Sequence, residues 1–554
     1  MKRTYDDTMF IDTFEHEYTY LNGFMRNVRR YSRHIAVLDP ETEREFTYTQ
    51  VNVSANKLAH ALEKQDVGKN DVVMTALRNC PEFVYTYLGP RKIGAIVLPA
   101  NFNLSAGELA LLIDFNKPKT FIYSANIAAV AAEAMRLSKN PPMKAVLADN
   151  LEGVEIPEGH ISYEEFTEGE DENDPVQKVR PHIYDEVIRF CTSGTTALPK
   201  SVPVNDINDL LSAHDVIMQY GLTAIDKTVN MTPWFHRGGT HCGGMGPTIY
   251  AGAAAVVVRA FDAKKILEWT EKYGFTYLTG APSSLEMLAR VQERKHFNIS
   301  SLRGIATMGA PLERAACIRY QEVLTPNIFN GYGTTETDWN SLLHPFDLPD
   351  EAGSIGPSAV DDEIRVVKIY EDHKAEPDEL IPTDSVTQGE VIIQAPQKTT
   401  YSYYNNEELA KEKFYKGWMY TGDTATWNDK WIVTICGRKD DMMVVSGENI
   451  YPSQIEEVIN ENPKVLDCIV TAVPDKDKYR GQVAAAYIIP ADKSLTIAEI
   501  KEFCNQHPML SDYKKPRYYT FTDKIPMTAT GKKMHHVIKE QAKKDLEEGI
   551  LKRK

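Results

Sequence analysis

Short β-branched runs alternate with helix-patterned segments along most of this chain, and no other feature narrows the choice of fold as much. "DVVMTAL" (71–77), "AIVLP" (95–99), "TFIYS" (120–124) and "KAVLAD" (144–149) read as strands. "QVNVSANKLAHALEK" (50–64) and "AGELALLIDF" (106–115) carry apolar residues at helical spacing. Strand and helix in alternation build mostly parallel sheets covered by helices. After about residue 360 the texture changes. "EIRVVKIY", "GEVIIQAP" and "KWIVTIC" are strands without long helices between them, which predicts a small β-rich subdomain over about 360–436. Beyond "GRKDD" (437–441) come compact mixed patterns such as "YPSQIEEVINEN", "DCIVTAVPD" and "QVAAAYIIP", apolar enough for a small α+β domain. The expectation is an α/β protein with a large N-terminal domain over 1–439, containing the β-rich subdomain, and a C-terminal domain over 440–554. The acidic "EGEDENDPVQKV" (168–179) reads as a surface linker, and the closing "KEQAKKDLEEGILKRK" as a solvated helix and tail.

Charge and cysteine usage exclude some classes. A net charge of −16 argues against a nucleic-acid surface, which needs a basic footprint, yet leaves room for a local anion pocket. The seven cysteines are scattered, with no C-x-x-C pair, as expected of reduced thiols. The N-terminus lacks the apolar core of a signal peptide, and the richest apolar run, "AGAAAVVV" (251–258), is strand-sized. A cytoplasmic protein with no transmembrane segment is expected.

"CTSGTTALPKS" (191–201) resembles a P-loop until its second glycine, where Pro199 stands. Proline has no N–H, so that cradle cannot form. The four hydroxyls of Thr192, Ser193, Thr195 and Thr196 around Gly194, with the ammonium of Lys200, still suit phosphate oxygens. A Ser/Thr-rich surface turn is the plain alternative. Further along, "NGYGTTET" (330–337) follows the strand-like "TPNIF" and offers an aromatic face at Tyr332, a hydroxyl at Thr335 and a hard oxygen ligand at Glu336. "YTGDTA" (420–425) places Asp423 in a tight turn, where its carboxylate suits both hydroxyls of a ribose. "GRKDDMMVVSGENIYPSQIE" (437–456) joins a cation, paired acids and a glycine after an apolar strand, and "IPMTATGKKMHH" (525–536) holds Lys532. Each of these, singly, is more often a turn than a site.

Taken in order, with "FTYTQVNVSANKLAHAL" (46–62) and "LPANFNLSAGELA" (98–110), the motifs resemble the adenylate-forming superfamily of acyl-CoA synthetases, adenylation domains and luciferases, over nearly the whole chain. In that family the phosphate loop carries a proline as a normal member. The resemblance implies that Thr192, Ser193, Gly194, Thr195, Thr196 and Lys200 hold the β- and γ-phosphates of ATP, and that Gly309, Ala310 and Pro311 line the adenine and acyl pocket. It implies a nucleotide wall from Asn330, Gly331, Tyr332, Gly333 and Thr334, with Tyr332 stacking on adenine and Thr335 at the α-phosphate. Glu336 would ligate Mg²⁺, Asp423 and Arg438 would hold the ribose, and Lys532 would bridge carboxylate and α-phosphate; Lys532, Glu336 and Thr192 would be catalytic.

The same resemblance makes the C-terminal domain mobile, turning at Asp440 to bring Ser446, Gly447 and Glu448 to the CoA arm. "TPWFHRGGTHCGGMG" (232–246) would form the acyl pocket, with His236 as a gate beside Gly239, Gly309 and Gly333. Zinc on His236, His241 and Cys242 is disfavoured, because a fourth ligand and the usual spacing are missing. Acetate-specific members carry tryptophan where Gly333 stands, so a larger aryl, alicyclic or medium-chain acid is expected. Three departures stand out: Ala197 and Ser201 replace glycines of the phosphate loop, and His535 replaces an arginine or lysine.

The reading is therefore an AMP-forming acid:CoA ligase using ATP, Mg²⁺ and CoA on a small carboxylic acid, with oligomeric state, a homodimer included, left open. Its rivals are a standalone enzyme loading a carrier-protein thiol, a luciferase-like oxygenase, and a nucleotide-binding regulator without catalysis.

Overall fold

The strand–helix alternation resolves into two large sheets sharing one layer of helices. The structure is a computed structural model that describes residues 6–192, 200–370, 372–441, 443–445, 448–450, 452–475, 482–507, 510, 514–528 and 533–551. The first sheet has seven strands in the order Ile161–Ser162, Lys144–Ala148, Thr120–Ser124, Val72–Ala76, Ile96–Pro99, Glu186–Thr192, Lys200–Asn205. All its pairs are parallel except the last, a hairpin. The second sheet has eight strands, ordered Asp338–Leu343, Ile328–Thr334, Gly304–Met308, Tyr277–Gly280, Lys227–Asn230, Ala254–Val256, Ile35–Asp39, Arg44–Thr47. Its interior is parallel and both edge pairs are antiparallel.

Side-chain alternation sets the layers. Val72, Met74 and Ala76 point to one face of the first sheet and pack on the helices Ala106–Asn116 and Ala128–Leu137. Val73 points to the other face, where the helices Tyr48–Lys64 and Pro81–Lys92 lie against Trp234, Phe235 and Ile249. The far face of the second sheet, with Val229, Leu278, Ile305 and Ile328, carries the helices Ala263–Tyr273, Pro282–Arg294 and Arg314–Val323. Capping boxes at Thr47/Gln50 and Ser105/Glu108 start two of these helices where the sequence periodicity begins.

A third, antiparallel sheet runs Glu363–Val367, Gly389–Gln394, Trp418–Trp427, Phe414–Tyr415, with Val433–Arg438 added to the long strand. Beyond it come the hairpin Met443–Val445/Glu448–Ile450 and a three-stranded sheet of Val465–Pro474, Gln482–Pro490 and Tyr518–Phe521. Among the described residues no helix is long and apolar enough to cross a membrane.

The structure corrects three local readings and adds to a fourth, the surface linker. "NGYGT" does not follow a strand but completes it, because Asn330–Thr334, the second part of the strand Ile328–Thr334, pairs with Asp338–Leu343. Asp423 is not in a turn. It sits inside the strand Trp418–Trp427, which absorbs Gly422 (φ 75°) and pairs Asp423 with Arg438. The 168–179 linker is irregular but fastened, since Asp174 binds Lys92 (2.7 Å) and Glu170 binds Lys64 (2.7 Å). The last helix, His535–Glu547, is solvated on one face only and buries Ile538 and Ala542.

Candidate active site

The hairpin between Ile328–Thr334 and Asp338–Leu343 presents Thr335 and Glu336 at its tip. The Thr334 hydroxyl accepts from the Thr337 amide (3.2 Å) and lies 2.8 Å from the Thr337 hydroxyl, closing the turn. The two strands approach so closely that a Cβ on Gly331 would sit 1.5 Å from Trp339 Nε1, and one on Gly333 1.7 Å from the Asp338 carbonyl oxygen. Glycine is required at both places by the hairpin itself. The hairpin alone thus accounts for Gly333.

Two neighbouring strands complete one wall. Tyr332 donates its hydroxyl to Asp423 Oδ2 (2.5 Å), and Arg438 Nη1 donates to Asp423 Oδ1 (2.7 Å) and to the Thr421 carbonyl (3.1 Å). Desolvation first, then the Asp423 charge, pushes the Tyr332 phenol well above its ordinary pKa, so it stays a donor. Gly309, Ala310 and Pro311 follow the strand Gly304–Met308, whose Met308 pairs with Gly331, so this bend lies at the same strand ends. Gly309 has φ 86°, a conformation glycine adopts without strain. Such carboxyl ends of parallel strands are where open α/β sheets bind ligands.

His236 is the N-cap of a short helix, Arg237–His241, and packs its ring on Phe235 with centroids 4.2 Å apart. A Cβ on Gly239 would lie 2.0 Å from the Pro233 carbonyl oxygen, which explains the glycine. His241 Nε2 meets Asp209 Oδ1 (2.7 Å), and Asp209 also takes bonds from Arg91 (2.7 Å) and Tyr87 (2.6 Å). His241 is therefore part of a buried polar core rather than of the pocket wall.

Three residues unmarked by the sequence motifs hold this centre. Buried Arg237 donates to the carbonyls of Thr335 (2.9 Å), Glu336 (3.1 Å) and Lys398 (2.7 Å) and to the Ser212 hydroxyl (3.0 Å). Lys398, fully buried, pairs with Asp215 (2.8 Å) and Asp362 (2.6 Å) and donates to the Trp339 carbonyl. Burial pushes the Asp362 carboxyl up to about 6 despite that lysine. Tyr403 donates to Glu336 Oε1 (2.6 Å). The only trace of these roles in the sequence is Arg237 itself, a cation set between "PWFH" and a run of glycines.

In the phosphate loop, Thr192 pairs with Lys200 across the hairpin stem. Ser193, Gly194, Thr195, Thr196, Ala197 and Pro199 lie outside the described residues, as does the side chain of Thr192. Ser201 is buried, its hydroxyl 3.3 Å from the Cys191 thiol and its carbonyl accepting from the Tyr404 amide (2.9 Å). Its side chain is thus absorbed by the stem. Lys532, Ser446 and Gly447 also lie outside the described residues, and so do the side chains of Asp440 and Glu448. Thr528, four positions before Lys532 in the sequence, joins Asn79, Thr232, Pro233, Arg259 and Ser284 around a cavity of about 330 Å³. His535 meets Glu456 (2.8 Å), which also accepts from the Val470 amide (2.7 Å).

The sequence profile of the AMP-binding enzymes matches residues 24–404, and that of the AMP-binding enzyme C-terminal domain matches 454–532. A long-chain-fatty-acid–CoA ligase of Mycobacterium tuberculosis is 27% identical, over 91% of this chain and 95% of its own. An indoleacetate–CoA ligase of Aromatoleum aromaticum is 28% identical, over 88% and 92%. The fold matches a crystal structure of an anthranilate CoA ligase in complex with anthranoyl-AMP, with a TM-score of 0.85 at 24% identity, covering 96% of this chain and 98% of the other.

Proposed function

The chain belongs to the AMP-binding enzyme family, and from that premise we propose that it is an AMP-forming acid:CoA ligase. A carboxylate oxygen attacks the α-phosphorus of ATP and expels pyrophosphate; the CoA thiol then attacks the acyl carbon and expels AMP. The observation that carries this reading is the bonded set Tyr332–Asp423–Arg438 beside the Thr335–Glu336 tip. Asp423 accepts one bond on each oxygen and keeps lone pairs for the two hydroxyls of a ribose. The Tyr332 ring, fixed by its hydroxyl, offers a face for adenine.

Glu336 fits Mg²⁺ by the chemistry of its donors, hard oxygens on a rigid turn, one taken by Tyr403 and the other left to a ligand, while Thr335 faces the α-phosphate in this reading. Bound there with the triphosphate, the ion would offset phosphate charge. The Thr192–Thr196 loop and Lys200 bind the β- and γ-phosphates in this reading, and Lys532 counters charge developing between carboxylate and α-phosphate. No acid–base residue is required, because the task is to hold two anions in line.

Residues 1–439 and 440–554 act as two bodies in this proposal, with Asp440 at the turn between them and Ser446, Gly447 and Glu448 beside the pantetheine arm. The acid is aryl, alicyclic or medium-chain. Support comes from relatives named for long-chain fatty acids, 4-chlorobenzoate and indoleacetate.

The test is pyrophosphate release with ATP and Mg²⁺ across a panel of carboxylic acids, each with and without CoA. Release and AMP formation that need one acid class and rise with CoA are expected. Release indifferent to CoA would move the acceptor to a carrier-protein thiol, and silence across the panel would remove the ligase reading.

A further inference from the structure

Glu336 is held by more than its hairpin. Its carboxylate oxygen Oε1 accepts from the Tyr403 hydroxyl at 2.6 Å, and Tyr403 is only 5% exposed. The segment carrying Tyr403 has little regular structure, yet it is fastened at four points. The Lys398 carbonyl accepts from Arg237 (2.7 Å), the same guanidinium that holds the Thr335 and Glu336 carbonyls. The Lys398 ammonium is locked between Asp215 and Asp362. The Thr400 hydroxyl donates to the Pro203 carbonyl (2.9 Å), and the Tyr404 amide to the Ser201 carbonyl (2.9 Å). Ser201 and Pro203 lie on the strand Lys200–Asn205, the stem of the phosphate loop. One short strap therefore joins that stem to the carboxylate of Glu336, while Arg237 fixes the peptide carrying it.

We infer that Tyr403 is a positioning residue, one that aims the Glu336 carboxylate at a divalent cation held with the triphosphate. The inference rests on the proposed role of Glu336. A carboxylate on a hairpin tip can rotate about its side-chain torsions. With Oε1 tied to a phenol on a braced strap, Oε2 is presented in a single direction, fixed relative to the strand Lys200–Asn205. Partners that orient a metal-binding carboxylate commonly change metal affinity 10- to 100-fold when removed.

Tyr403→Phe removes the hydroxyl and keeps the ring, which packs 5.9 Å from Phe414, so the melting temperature should match that of the wild type. The experiment measures free Mn²⁺ by electron paramagnetic resonance as it is titrated into the full-length protein with ATP, and ATP binding without metal by calorimetry. Tyr403→Phe should weaken Mn²⁺ uptake about tenfold with metal-free ATP binding unchanged. Glu336→Gln should weaken uptake at least as much, and the double variant no further than Glu336→Gln alone. Uptake reduced by Glu336→Gln but unchanged in Tyr403→Phe overturns the role of Tyr403. Uptake unchanged in both overturns the reading of Glu336 beneath it. Equal loss of metal-free ATP binding in Tyr403→Phe would make the strap a general support of the pocket and also overturn the inference.

Discussion

Two anchors differ in a way that bears on how such a protein works. Around Glu336 the supports are Arg237, bonded to main-chain carbonyls, and Lys398, fully buried between two carboxylates. Burial opposes the charge on Lys398, but Asp362 and Asp215 outweigh it and raise its pKa, and both cations tie together segments distant in sequence. The anchor next to Lys532 is built from Lys533, bonded to Asp467 (2.8 Å) and to the Cys468 carbonyl (2.6 Å), and from His535 on Glu456. It is partly exposed, and one of its cations is an imidazole. The residues that receive substrate in the proposed reading are held by a guanidinium and a lysine. The segment that follows Lys532 is tied by a lysine and by an imidazole, a charge that can be lost.

The largest effect should come from breaking the first anchor. Lys398→Met leaves Asp215 and Asp362 buried without their cation, a change that typically costs about 3–5 kcal/mol. The urea midpoint of the variant should fall accordingly, and ATP binding should weaken because the strap loses its footing. If the midpoint moves no more than for a surface lysine such as Lys411, the buried pair is not what fixes this region. Next in size is the second anchor's cargo. Lys532→Ala should slow acyl-adenylate formation roughly 100- to 1000-fold, the usual scale for removing one transition-state charge partner. The same variant should still convert supplied acyl-adenylate to thioester. Equal loss in both half reactions would mean that the two regions do not divide the work.

What the sequence announces and what it conceals follow the same division. The strands Thr120–Ser124 and Lys144–Ala148 are legible because short apolar runs buried on both faces, but for Lys144 at one end, leave a local mark. Tyr332, Asp423 and Arg438 are legible as parts of an ordered motif set, although Gly422–Asp423 imitates a turn that the strand in fact absorbs. Lys398 and Tyr403 leave no local mark, and Arg237 shows only as a cation beside a run of glycines. Arg237 reaches Thr335 and Lys398 across 98 and 161 positions, and a lysine in "PQKTTYSYY" reads as surface until Asp215 and Asp362 arrive from elsewhere. Long-range polar partners are a property of the assembled core, so a single sequence cannot display them.

The smallest effect, and the sharpest test of the contrast, is pH. Burial opposes charge on His535, but the hydrogen bond and charge of Glu456, with Asp441 further off, outweigh it and the repulsion of Lys533, so the imidazole pKa is raised from about 6.5. A raised folded value means that the protonated form stabilises the fold. That contribution is complete below about 6.5, the ordinary histidine value, and is lost as pH rises through the raised one. Glu456 does not reverse the sign: despite its burial, Lys533 and His535 keep it ionised across this range. Amide exchange around Val470, whose N–H also binds Glu456, should therefore speed up as pH climbs past neutrality, beyond the intrinsic rise in exchange rate. The expected scale is about 1.5–3 kcal/mol at most, that of one hydrogen bond to a charged group. His535→Gln should flatten this dependence, and His535→Arg should hold the low-pH protection at every pH. Exchange at the Trp339 amide, beside the Lys398 anchor, should show no such step. A step of equal size at both places would mean that the two anchors respond as one body, and the distinction between a fixed and a releasable charge would fall.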